Sequence, residues 1–284
     1  MARRSLHEEP MSRIAVWSSR LGLFAFVVAA LSIIIVRSGL LEIVPALATF
    51  AASLVFAGLA IFLAFAAFVV IWRQGLPGLG RALLGLFLGL ALLAYPAYLG
   101  TRALRLPAIS DITTDTTNPP RFEVLARLRP RGRTDYPGDA VAALQHKAYP
   151  DIAPLELDVP TKIAYDAALA LVTKRKWYIG DARAPSLPRR DGVIEAVART
   201  PIMGFRDDVV IRIAPLGQGT RVDMRSASRF GDHDLGANAR RIRSLLEDID
   251  DTVSSAPEPR SVQEKKALPA KKGQPDKKGQ PAKR

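Results

Sequence analysis

Residues Arg206–Ile242 read RDDVVIRIAPLGQGTRVDMRSASRFGDHDLGANARRI, which scans as strand, turn, strand, polar loop and the start of a helix. Side chains alternate across a strand. In Asp208–Ile213 this puts Val209, Ile211 and Ile213 on one face and Asp208, Val210 and Arg212 on the other. Leu216-Gly-Gln-Gly219 supplies a hairpin turn. In Thr220–Arg229, Val222, Met224, Ser226 and Ser228 alternate with Asp223, Arg225 and Arg229. Asp234 stands where a helix cap is wanted, because a short carboxylate accepts from the unpaired N–H groups of a first turn. Ala239, Ile242, Leu246 and Ile249 then give the helix one apolar stripe.

Working outward, Lys176–Gly180 and Val193–Arg199 read as further β segments. Before them, Pro160 is a good opening for the helical run TKIAYDAALALVTKRK. Ile163, Ala167, Ala170 and Leu171 form its apolar face, and the basic residues gather at its end. Helix, antiparallel strands and a long C-terminal helix make an α+β domain, with the helices on one face of the sheet. The segment PAISDITTDTTNPPRF at Pro107–Phe122 reads as a turn-rich strap, since Asp111, Asp115 and Pro119-Pro120 favour turns over helix. Pro130–Ala140 reads as a loop.

Residues upstream of about 101 are of a different kind. Leu21–Val36 is apolar between Arg20 and Arg37, and Ile14–Ser19 extends it far enough to cross ~30 Å of hydrocarbon. A cleaved signal peptide is the rival reading, but further spans follow and favour an uncleaved anchor. Ile43–Trp72 carries no charge, and Ala82–Gly100 ends with Tyr95 and Tyr98 placed like an interfacial belt before Arg102. Spans are expected at about 14–36, 45–72 and 82–101, after a segment 1–13, with the α+β domain at 102–255. Gly85 and Gly89 allow close helix approach, either inside the bundle or in a homodimer. The second and third spans contain no ionisable residue of the kind that transporters and proton relays place at membrane depth. An anchor is the expectation. Arg3, Arg4, Arg13 and Arg20 precede the first span, Arg73 and Arg81 lie between the second and third, and Arg37 stands alone in the first loop. The positive-inside rule then puts the N-terminus in the cytoplasm and the domain on the far side.

The 284 residues carry a formal charge of +13, but nine Lys/Arg against three Asp/Glu fall in the tail 257–284. The tail, 256–284, is disordered by composition and repeats KKGQP at Lys271 and Lys277. Without interleaved aromatics it does not indicate nucleic-acid binding. The chain has no cysteine, which excludes disulfides, thiolate nucleophiles and Cys-based metal sites.

Four motifs carry a resemblance: IxDITTDxxxPP at Ile109–Pro120, GxIEAxxxT at Gly192–Thr200, FRDDVVIRI at Phe205–Ile213 and RSASRxGxxDLGANxRRI at Arg225–Ile242. Over roughly residues 105–250 the chain resembles a bacterial family known as domain of unknown function 1499. The resemblance implies a membrane-linked or envelope domain and supplies no chemistry. The chain departs from the family's pattern at Ser110, and at Asp232-His233 ahead of Asp234. In a Gram-negative bacterium the anchor would lie in the inner membrane and the domain in the periplasm.

Arg206, Arg225, Arg229 and Arg241 are candidates for an anion-binding cluster near the N-terminus of the last helix, with Ser226, Ser228 and Asn238 adding hydrogen bonds. The competing expectation is a buried network in which Asp207, Asp208 and Asp234 neutralise these arginines. Asp207, Asp208, Asp232, His233 and Asp234 match no metal motif, and no GxSxG elbow marks Ser226 or Ser228 as a nucleophile. No catalytic residue, metal or cofactor is assigned. Three functions stay open. The first is a non-enzymatic module that meets membrane lipid through its spans and binds a protein partner or an anionic envelope component. The others are a hydrolase using Asp207, Asp208, His233 and Asp234, and a purely structural membrane protein.

Overall fold

The computed structural model describes residues 11–39, 43–129, 134–187 and 190–255. Most of the expected N-terminal segment and the whole expected tail lie outside the described residues. Three helices long and apolar enough to cross a membrane come first: α1 (Arg13–Ser38), α2 (Ile43–Gln74) and α3 (Leu79–Arg105). Each outlasts its apolar run because helical hydrogen bonding continues into the charged flanks, and α3 passes the expected end to reach Arg105.

Small residues fill the seam between these helices. Ala15 and Ala25 of α1, Ala57, Ala60, Ala64 and Ala67 of α2 and Ala82 of α3 are fully buried, whereas Phe62, Phe87 and Trp72 are 67%, 67% and 90% exposed. Large apolar groups outside and alanines inside suit hydrocarbon, where packing at close approach holds helices together. Ser18 Oγ donates to the Ala60 carbonyl across the seam at 2.8 Å. Gly85 and Gly89 face this seam: a Cβ on Gly85 would lie 2.1 Å from Ser18 Oγ, and one on Gly89 2.6 Å from Ile61 Cγ1. Of the two readings given for these glycines, the structure shows close approach inside the bundle, where α1 and α2 of the same chain occupy their faces.

The domain follows as β1 (Asp111–Thr113), a 3-10 turn (Leu125–Leu128), α4 (Asp139–Ala148), β2 (Leu155–Leu157), α5 (Thr161–Lys174), β3 (Tyr178–Arg183), β4 (Gly192–Arg199), β5 (Arg206–Leu216), β6 (Gly219–Ser228) and α6 (Ala237–Ser254). The sheet is antiparallel in the order β1-β6-β5-β4-β3, with β2 paired to β6 beside β1. The β5–β6 hairpin turns at Gly217, whose φ of 59° suits the first central position of a tight hairpin loop. Ile194, Ala196, Val209, Ile211, Ile213, Val222 and Met224 pack with Ala164, Ala168 and Val172 of α5 and Ala239, Ile242, Leu245 and Ile249 of α6. The apolar alternation is thus turned toward the helices. On the opposite face, the strap residues Phe122 and Leu125 cover Val197, Val210 and Ala227.

Three elements differ from expectation. Part of the strap pairs as β1, and Gln145 of α4 locks it there by exchanging amide hydrogen bonds with both the N–H and the carbonyl of Thr113. Residues 139–148 within and beyond the expected loop are the helix α4. Lys176 and Trp177 terminate α5 and do not begin a strand: Lys176 N–H reaches the Thr173 carbonyl and Trp177 N–H the Val172 carbonyl.

The domain rests on the C-terminal ends of α1 and α3. Arg37 Nη1 donates to the carbonyls of Pro201 and Ile202 at 2.6 and 3.2 Å, and Arg199 Nη1 donates back to the Arg37 carbonyl at 2.8 Å. Gly204 (φ 72°) sits against Arg37, where a Cβ would come within 2.8 Å of Cγ. At α3, Gly236 packs beside Arg102 and Leu106.

Candidate anion-binding site

Charged residues of the sheet divide by strand parity into two networks. On the strap face, Arg225 is 1% exposed and grips Asp111 with Nε–Oδ1 at 2.9 Å and Nη2–Oδ2 at 2.7 Å. Its guanidinium also lies over Phe122, 4.8 Å from the ring centroid, with Arg129 on the same ring at 4.9 Å. Asp208, fully buried, receives Arg129 Nη1 at 2.8 Å and Arg229 through Nε and Nη2. Glu195 is also fully buried, and its carboxylate accepts from the N–H groups of Glu123, Val124 and Leu125, capping the 3-10 turn. Asp115 makes a turn by accepting from the N–H groups of Thr117 and Asn118. Asp111, expected to do the same, serves as the carboxylate of Arg225.

On the helix face, buried Asn238 joins Ser226, Ser228 and the Ser110 carbonyl, and Arg241 bridges this group to Asp207. Asp234 accepts from the N–H groups of Gly236 and Asn238 and so caps α6. Burial raises its pKa above the usual carboxylate value, against the pull of those two hydrogen bonds. His233 turns toward the anchor: its Nδ1 accepts from the Leu235 N–H and Nε2 faces the Ala103 carbonyl at 3.3 Å. The described residues contain no group of three His, Asp or Glu side chains arranged to hold a metal ion.

Arg225, Arg241, Asp207, Asp208, Ser226, Ser228, Asp234 and Asn238 therefore have internal partners. Arg206 and Arg229 open instead onto a cavity of about 710 Å³ lined by Arg37, Leu128, Arg175, Lys176, Trp177, Tyr178, Val197, Arg199, Arg206 and Arg229. Six of these ten residues are cationic and none is acidic. Arg175 is neutralised by Asp248 and Arg229 by Asp208. Arg37 and Arg199 are held by main-chain carbonyls, which orient them without cancelling their charge. The exposed side chains of Arg206 and Lys176 have no hydrogen-bond or ion-pair partner among the described residues.

Residues 111–249 match the model of a family described as protein of unknown function (DUF1499). The chain carries a DUF1499 domain. Among solved structures, the crystal structure of CalU16 from Micromonospora echinospora is similar over 39% of this chain and 77% of that one, with 16% identity and a TM-score of 0.26. A comparison with curated proteins finds no match. Nine of the ten pocket residues belong to the DUF1499 domain, and the anchor supplies the tenth, Arg37. Sequence reasoning singled out Arg206 and Arg229 but not Arg37, Arg175, Lys176 or Arg199. Two signals were available for these: Arg37 is the lone cation of its loop, and Lys174–Trp177 is a basic run ending in an aromatic.

Proposed function

We propose that this protein is a non-enzymatic binding module, held at the membrane surface by its three helices, whose basic pocket takes an anionic component of the cell envelope. The observation that carries this is the gathering of Arg37, Arg199, Arg206 and Lys176 around one cavity, with no carboxylate paired to them and no acidic side chain in its wall among the described residues. Like charges gathered around one cavity repel one another, and a bound anion would relieve that repulsion while accepting their hydrogen bonds. Arg206 and Arg229 face the ligand, while Asp207, Asp208, Arg225, Ser226, Ser228, Asp234, Asn238 and Arg241 form the rigid support beneath. The Arg3, Arg4, Arg13, Arg20, Arg73 and Arg81 distribution supports a bacterial inner-membrane protein with its N-terminus cytoplasmic and the DUF1499 domain periplasmic.

Native mass spectrometry of the full chain released from detergent tests this proposal. The wild type should carry a reproducible anionic mass that Arg206→Ala combined with Arg199→Ala sheds while remaining folded. An identical bound population in both proteins would sink it.

A further inference from the structure

The basic pocket lies at a depth that identifies the class of its ligand. Val36 is the last residue of the apolar run of α1, and Arg37 is the first charge after it. An arginine in that position sits at the level of the lipid headgroups, its stem along the helix and its guanidinium in the polar layer. The same guanidinium forms one wall of the pocket and is pinned to the Pro201 and Ile202 carbonyls. Arg206 closes against the same helix end: a Cβ on Gly39 would meet its Nη2 at 3.5 Å. The turn between β4 and β5 leaves Ile202 exposed beside Arg37, so an apolar side chain stands next to the cations at the end of α1.

We infer that the pocket takes the phosphate headgroup of an anionic membrane lipid from the leaflet on which the domain rests. This rests on the proposed anion-binding role of the same site and adds the source of the anion. Guanidinium groups match phosphate oxygens in pairs. Arg37, Arg199 and Arg206 converge from α1, β4 and β5, so the site exists only where the domain is docked on its anchor. The cavity, at about 710 Å³, is far larger than a phosphate, and Leu128, Val197, Trp177 and Tyr178 line the remainder. That apolar and aromatic wall suits the glycerol and headgroup carbons of a lipid better than a free, fully hydrated ion. Lys176 stands at the rim with φ 55°, a backbone conformation that glycine holds more cheaply, and presents there an ammonium with no partner among the described residues.

The test uses the full chain in nanodiscs of phosphatidylcholine doped with phosphatidylglycerol, followed by native mass spectrometry to count retained lipids. Arg206→Ala/Lys176→Ala is compared with wild type and with Lys147→Ala, an exposed residue of α4 outside the pocket. A second arm measures inorganic phosphate binding in discs of phosphatidylcholine alone. The wild type and the Lys147 variant should hold phosphatidylglycerol in preference to phosphatidylcholine. The double variant should bind it on the order of 30-fold more weakly, the effect of two charges at a membrane surface. Equal lipid retention in all three proteins, with phosphate binding lost in the double variant, would overturn the lipid assignment and leave the anion pocket standing. Equal behaviour of all three proteins toward both probes would overturn the pocket itself.

Discussion

Arg225 and Asp111 form a bidentate ion pair across 114 residues of sequence, joining β6 to β1 with both side chains buried. Phe122 and Tyr136 flank the guanidinium, and the Pro120 and Thr134 carbonyls each accept one further hydrogen from it. Removing one partner strands a buried charge. Arg225→Ala should therefore cost roughly 3–5 kcal/mol, whereas exchanging both residues for apolar ones of similar size should cost much less. Thermal unfolding of the full chain in detergent checks this: a melting temperature unchanged by Arg225→Ala would show that the pair contributes nothing to the fold.

The anchor makes a separate prediction about glycine. A Cβ on Gly85 would fall 2.7 and 2.8 Å from the backbone C and O of Ser18, so α1 and α3 would have to move apart. Gly58, within α2, has nothing within 4 Å of the equivalent position. Gly85→Ala should weaken the bundle, while Gly58→Ala should be neutral or gain up to about 1 kcal/mol from helix propensity. Titration of the folded fraction with SDS separates the two variants. Equal midpoints would contradict the packing described for this seam.

Much of this architecture was readable from local pattern. The spans appear as apolar runs bounded by arginines, and the β5–β6 hairpin as period-two alternation around Gly217. What escaped depends on contacts distant in sequence. β1 and β2 are three residues each and exist because β6 offers them an edge. Asp208 and Arg229 could be paired by their place on neighbouring strands, but nothing local distinguishes Asp111 from Asp207 or Asp208 as the carboxylate for Arg225. The pocket was least legible, since its cations come from α1, from the end of α5, from β4 and β5 and from the residue after β6. Their convergence is a property of the docked domain rather than of any one segment.

Tyr136 gives a pH signature for the strap face. Burial, and then the neighbouring Asp111 carboxylate, push its hydroxyl from 10.0 up to about 12, with Arg225 pulling the other way. An acid whose folded pKa is raised holds its proton longer when folded, so its contribution is fully present below pH 10 and lost as pH rises toward 12. Tyr136→Phe should remove that part of the alkaline destabilisation and one late-titrating phenolate from the ultraviolet spectrum. Phenolate absorbance that completes its rise near pH 10 in the wild type would contradict the burial of Tyr136.

Lys176 sets stability against binding at a single residue. It occupies the left-handed position after α5, where its N–H and that of Trp177 close the helix on the Thr173 and Val172 carbonyls. A side chain in this conformation is disfavoured by roughly 1–2 kcal/mol relative to glycine, so Lys176→Gly should stabilise the domain by up to about 1 kcal/mol after the loss of chain entropy. The same change removes a cation from the rim of the basic pocket and should weaken binding of an anionic ligand. Lys176→Arg provides the complement, keeping both strain and charge. A melting curve and a binding isotherm on each variant decide the matter. If Lys176→Gly raises the melting temperature and lowers affinity, while Lys176→Arg changes neither, the strained lysine is held for its charge. If Lys176→Gly raises stability with affinity intact, the ammonium has no part in the pocket.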